Sequence, residues 1–219
     1  MGPAFAASLV FVGFGLFIVF LLKFGAAQSR KALESFNRLA ARLGLTPEPA
    51  KLKLGFWSGG EANGELRGKR ARLYSYTTGS GKSRTVWCAV AVQPRQTGGL
   101  TFSLTPQGLG SKVAELFGAK EITVGDPAFD KAWFIRTNQP EFFAAALLPE
   151  LRTRLAAAIE GQPHPWQPSV KLEKGAVIYA EAGAFNHEGR CERLFRMADI
   201  LCDFADIAEV HAQHSSPDR

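Results

Sequence analysis

The sequence is poor in the residues that carry metal and redox chemistry. Its 219 residues include three cysteines, four histidines and two methionines. It contains no CxxC, HExxH or GxSxG pattern, so the usual signatures of a structural zinc site, a zinc protease and a serine hydrolase are missing. Cys88, Cys191 and Cys202 are odd in number and widely spaced, which leaves any disulfide scheme with an unpaired thiol and fits a reducing compartment. The chain also lacks charge at its start: no charged side chain occurs in residues 1–22. No internal repeat is present.

What stands in place of charge is an apolar run over 4–22, closed by Lys23. Nineteen residues at about 1.5 Å each make roughly 29 Å of helix, close to the hydrocarbon thickness of a bilayer. A cleaved signal peptide would start with basic residues, have a shorter apolar centre and end in a small-residue cleavage site. Here no Lys or Arg precedes the run, and Lys23 and Phe24 separate it from Gly25, Ala26 and Ala27. The expectation is an uncleaved transmembrane anchor over 1–24. Lys23, Arg30, Lys31, Arg38 and Arg42 follow the run, so the positive-inside rule puts the N-terminus outside and the rest in the cytoplasm, at an inner membrane. Gly13 and Gly15 lie two apart, which does not make a small-xxx-small dimer stripe.

The net charge of +6 is unevenly placed. Residues 23–84 hold 13 basic and 4 acidic side chains, and the remainder is slightly acidic. Within the basic half, Arg67, Lys69, Arg70, Arg72, Lys82 and Arg84 are predicted to concentrate positive charge on neighbouring strands and turns. Such a cluster on a tethered domain is a candidate contact for anionic lipid headgroups. A solvated strand edge protected by its charges uses the same residues. No nucleic-acid-binding motif accompanies them, so nucleic acid is not an expected partner.

Residues 25–50 read as a juxtamembrane amphipathic helix and linker, with Ser29 as N-cap, Leu33, Phe36, Leu39, Ala40 and Leu43 on one face, and Gly44 as terminator. Residues 51–219 read as one domain. A short strand is expected at 52–57 and a hairpin at 64–77 turning at Gly68-Lys69. A central apolar strand is expected at 85–92, with further strands at 100–104, 121–124 and 133–137 and a helical turn at 112–117. Residues 140–159 are strongly helical, with Pro149 predicted to kink or divide them. Residues 161–169 are a proline-rich connector. A last hairpin, 170–181, turns at Lys174-Gly175 and precedes a helix over 191–210 whose inward stripe includes Leu194, Phe195, Ala198, Leu201, Ala205 and Ala208. This order predicts an α+β fold: an N-terminal transmembrane helix, then a mostly antiparallel sheet with helices packed on one face.

Two constellations invite chemistry. Gly79-Ser80-Gly81-Lys82-Ser83 ends like a P-loop, but Tyr76 stands where the first glycine belongs and a strand-like run follows instead of a helix. His187 and Cys191 are four apart with Gly189 between them, and no further ligand is spaced to join them. No catalytic, cofactor or metal residue is therefore assigned.

The stretch GDPAFDKAWFIRTNQPEFFAAALLPELRTRL, residues 125–155, resembles a cassette of uncharacterised, membrane-anchored bacterial proteins, a family without an assigned activity. Asp126, Phe129, Phe134, Ile135, Pro140, Ala144, Leu147, Leu148, Pro149 and Leu155 carry it. The resemblance implies bacterial origin and a structural unit in which Asp126 caps a turn.

The functional expectation is a single-pass, membrane-anchored cytoplasmic domain that binds a protein or the membrane surface. The alternative is an enzyme acting on a membrane-associated substrate through Asp126, Asp130 or His187.

Overall fold

The computed structural model describes residues 3–50, 52–53, 56–57, 59–106, 120–160 and 168–215. Side chains before Phe17 are outside that description, as is the expected helical turn at 112–117.

The first helix, α1 (Pro3–Arg42), is continuous for 40 residues. The expected break between an anchor and a separate helix starting at Ser29 is not made. Residues 23–28, KFGAAQ, contain no proline and one glycine, so nothing outweighs propagation of a helix already nucleated on both sides. Ser29 is not a cap; its hydroxyl accepts the backbone N–H of Trp57. The other end is as expected. Gly44 has φ +68, and Leu45 N donates to Ala40 O at 2.9 Å while Gly44 N donates to Ala41 O at 3.1 Å. These are the two bonds of a Schellman cap, closed by buried Leu45.

Among the described residues no helix is long and apolar enough to cross a membrane. The expected span, 4–22, falls mostly on residues whose side chains are not described. Its described end is bare: residues 17–22 are each 41–62% exposed.

The domain is built on one nine-stranded sheet, ordered β1 (Thr46–Pro47), β4 (Glu61–Leu66), β5 (Lys69–Thr78), β6 (Thr85–Gln93), β11 (Ala176–Ala182), β10 (Ser169–Glu173), β7 (Phe102–Pro106), β9 (Trp133–Thr137), β8 (Lys120–Ile122). All pairings are antiparallel. The expected strand over 52–57 is instead a separate two-stranded piece, β2 (Leu52–Lys53) and β3 (Phe56–Trp57). Strand β6, the densest apolar run, lies well inside the sheet as its composition requires.

The first long hairpin turns at Arg67-Gly68, one residue earlier than expected, because both adopt positive φ (+50 and +73). That is the type I′ geometry that matches strand twist. The last hairpin turns as expected at Lys174-Gly175, with φ +53 and +77.

Strand alternation gives the sheet two unlike faces. Leu73, Cys88, Val90, Tyr179, Leu104 and Ile135 point into the core. The long C-terminal helix α5 (Glu188–Ser215) packs on β6 and β11 there and touches α1 and α4 (Pro149–Ile159). Helix α3 (Pro140–Ala146) is separate from α4, so Pro149 divides the expected helix, each half beginning on a proline. Phe102, Phe143 and Phe204 stack across this layer with centroids 4.6–6.5 Å apart. The architecture is α+β with a large antiparallel sheet.

Candidate functional site

The six clustered cations of the sequence do not form one patch. Arg67 and Lys69 lie where β5 starts and turn onto α5. Arg67 bonds Asp203 at 2.6 Å and Asp206 at 2.9 Å, and Lys69 bonds Asp206 at 2.8 Å and Glu209 at 2.7 Å. Arg154 of α4 joins the same carboxylates through Asp199 and Asp203. The Asp203 hydrogen bond holds the Arg67 guanidinium above its ordinary pKa. Burial pulls Lys69 down, but its bonds to Asp206 and Glu209 outweigh that and raise it. These two residues clamp the sheet to α5, and their charges are paired with its carboxylates.

Arg70 and Arg72 have the opposite strand parity and project from the face of the sheet away from the helices. Arg72 lies 4.1 Å over the Tyr74 ring. Tyr74, Tyr76 and Trp87 continue as a stacked ladder, with centroids 5.8 and 6.0 Å apart. Arg70, Arg72, Tyr74 and Tyr76, with Lys171, Lys174 and Ile178, border a shallow trough of about 570 Å³.

Lys82 and Arg84 occupy the β5–β6 tip, at the other end of β5 from Arg67. Strand β5 has ten residues, or roughly 33 Å at about 3.3 Å each. The tip lies beside the part of α1 that follows the apolar run: Gly25, Gln28, Ser29 and Ala32 line a pocket of about 300 Å³ with Trp57, Ser75, Arg84, Val86, Phe185 and Asn186. Trp57 is anchored there by Phe36 and Phe185, with ring centroids at 5.3 and 6.2 Å. Its indole Nε1 is buried and makes no hydrogen bond among the described residues, at a cost of about 1–3 kcal/mol for an unsatisfied donor. Asn186 Nδ2 donates to Gln28 Oε1 at 3.2 Å, tying α1 to the segment before α5. Lys82 and Arg84 are exposed and make no ion pair among the described residues.

The residues weighed for catalysis have local duties. Asp126 caps α2 (Pro127–Ala132), accepting from Ala128 N and Phe129 N at 3.2 Å, the turn-capping role expected from the cassette. Asp130 accepts from Val124 N at 2.8 Å. The carbonyl of His187 accepts Cys191 N in the first turn of α5. All three thiols are buried and unpaired with one another. Burial raises Cys88 and Cys191 above the usual thiol range and Cys202 to about 11, which makes them poor nucleophiles. Among the described residues no cluster of three His, Cys, Asp or Glu side chains could hold a metal ion.

One polar group was not singled out from the sequence. Glu181 of β11 is fully buried on the core face and receives Tyr179 Oη at 2.6 Å and two Arg193 nitrogens at 2.9 Å. Its signal was available: a carboxylate at the same strand parity as Val177 and Tyr179 must meet a cation from the covering helix.

No protein-family model and no curated protein matches the chain. Among solved structures, it is similar to the crystal structure of the mycobacterial trehalose monomycolate transport factor A, TtfA, with a TM-score of 0.48 and 11% identity over 80% of this chain and 95% of that one. A likeness this distant fixes neither ligand nor activity.

Proposed function

We propose that this chain is a single-pass membrane protein whose α+β domain is a binding module held at the cytoplasmic surface of the inner membrane. The observation that carries the reading is the bare stretch at residues 17–22. Six consecutive apolar side chains, all exposed, cover every side of a helix that advances 100° per residue. A helix apolar all round needs either protein or lipid around it, and exposing each such side chain to water costs about 1.5–3 kcal/mol. No described element packs on it, and the residues before it continue the apolar run without a charge.

Continuity of α1 adds a mechanical consequence. Phe36, Leu39 and Ala40 of the same helix are buried in the domain core, so the membrane segment and the domain form one rod without a hinge. The domain then presents one fixed end to the bilayer, the end bearing Lys82 and Arg84. Each cation near an anionic surface contributes about 1 kcal/mol of attraction. Of the six sequence candidates, these two are the headgroup contacts, while Arg70 and Arg72 serve the trough. The cassette at residues 125–155, with its resemblance to membrane-anchored bacterial proteins, supports the same assignment.

Alkaline carbonate extraction and protease protection test this together. The full chain is expected to stay in the membrane pellet, with a C-terminal tag protected in spheroplasts and digested in inverted vesicles. Release by carbonate would mean that protein, not lipid, covers residues 17–22. Digestion of the tag from outside would reverse the orientation.

A further inference from the structure

The pocket between α1 and the β5–β6 tip has the position and the chemistry of a lipid site. Its position follows from the anchor reading, on which this inference rests. Gly25 and Ser29 lie three and seven residues past Leu22, or about 4.5 to 10 Å at 1.5 Å per residue. The interfacial layer on each side of a bilayer is about 5–8 Å deep. The mouth of the pocket therefore opens into the headgroup region.

Its chemistry is one-sided. The lining offers the Arg84 guanidinium, the Ser29 and Ser75 hydroxyls, the Asn186 amide and the Trp57 indole, and no carboxylate among the described residues. The Ser29 oxygen already accepts from Trp57 N, so its hydroxyl hydrogen is left to donate. Trp57 Nε1 is buried behind this lining, without an acceptor among the described residues. A set of donors beside an unpaired arginine selects an anion with several oxygens, and a phosphate meets that description. Ala32, Val86 and Phe185 supply an apolar wall suited to a glycerol backbone and the first methylenes of an acyl chain. At about 300 Å³ the space equals that of roughly ten waters in the liquid. Gly59 keeps one side narrow: at φ +110, a Cβ there would come within 2.3 Å of Ser75 Oγ.

We propose that this pocket binds the phosphate headgroup of an anionic phospholipid, with the phosphate oxygens accepting from Arg84 and from the Ser29 hydroxyl. The site makes the tip a specific receptor for a lipid molecule, where a diffuse basic surface would respond only to charge density.

The test uses the full chain in uncharged detergent micelles with ¹⁵N-labelled tryptophan. The four indole signals are recorded while dihexanoyl phosphatidylglycerol is added, and Trp57→Phe identifies which signal is Trp57. The expected result is a saturable shift of that signal, whose ring lines the pocket, with affinity at least tenfold weaker in Arg84→Gln and unchanged in Arg67→Gln. Arg84 sits on an exposed tip, so its replacement leaves the fold intact. Inorganic phosphate alone is expected to need far higher concentrations; saturation at similar concentrations would assign the site to free phosphate and overturn the lipid. A Trp57 signal that does not move, or that moves equally in Arg84→Gln, overturns the site itself. Micelle titration does not require a membrane span. Lipid binding by a chain that carbonate releases would thus leave the pocket standing and remove the anchor.

Discussion

Glu181 and Arg193 face each other across the sheet–helix interface through two hydrogen bonds of 2.9 Å each, Nε to Oε1 and Nη2 to Oε2. Both are buried, Glu181 completely, and the hydrogen bond to Glu181 holds the Arg193 guanidinium above its ordinary pKa. Removing one partner strands a charge in the core. Arg193→Leu is expected to cost about 3–5 kcal/mol, lowering Tm by roughly 10 °C for a domain of this size. Glu181→Leu combined with Arg193→Leu should recover part of that loss, since buried Arg190, 3.7 Å from Glu181, then loses that ion pair. Thermal denaturation of the single and double variants decides it, and equal losses in both would mean that the pair itself, not the stranded charge, sets the stability.

The buried thiols predict a loss of stability in alkali. Folding raises their pKa, with Cys202 moving from 9.0 to about 11. The unfolded chain therefore releases these protons first. Their contribution is intact below pH 9 and is lost as pH rises through about 11. Denaturant midpoints should fall over that interval, and less steeply in Cys202→Ala. A thiol reagent at pH 8 should find no reactive cysteine in the folded chain and three in denaturant. Rapid labelling of the native protein would contradict the burial.

Two turns offer a paired comparison. Lys174 and Arg67 both hold positive φ, at +53 and +50, a conformation that costs a side-chain-bearing residue about 1–2 kcal/mol and suits asparagine. Lys174 is exposed, so Lys174→Asn should stabilise by about 0.5–1 kcal/mol. Arg67→Asn relieves the same strain but forfeits the bonds to Asp203 and Asp206. It should bring no net gain. Urea midpoints for the two variants report the difference directly.

With the proposed anchor, separation of the cations along β5 predicts which of them a bilayer would shield. In nanodiscs of phosphatidylglycerol, trypsin should cut after Lys82 and Arg84 several-fold more slowly than in phosphatidylcholine. The protection should vanish near 1 M salt, where the Debye length is about 3 Å. Lys174→Glu should leave the protection unchanged, its turn lying at the end of the sheet away from the tip. Equal cutting in both lipids would detach the tip from the surface.

The sequence carried much of this architecture because many decisions are local. Gly44 ends α1, Pro149 opens a second helix, Asp126 caps α2 and Lys174-Gly175 closes a hairpin, each through chemistry confined to a few residues. What it did not carry were choices made between distant segments. Insertion of the β10–β11 hairpin between β6 and β7 depends on packing against α5, which no short window contains. The division of the clustered cations between two faces and two ends has a related reason. Strand parity sends alternate side chains to opposite faces, and only the carboxylates of α5, more than a hundred residues later, decide that Arg67 and Lys69 are consumed. Continuity of α1 through residues 23–28 was hidden by the change from apolar to amphipathic pattern, which marks a change of surroundings and not of backbone.

The pairing of Arg42 with Glu192 brings the first helix of the chain against the last. Synthesis makes α1 well before α5, so the buried side chains of α1 stay uncovered until α5 is made and the sheet has a helix to close against. Loss of the last thirty residues, which include most of α5, would therefore abolish the fold. A nascent or truncated chain of this kind exposes apolar surface and is prone to aggregate.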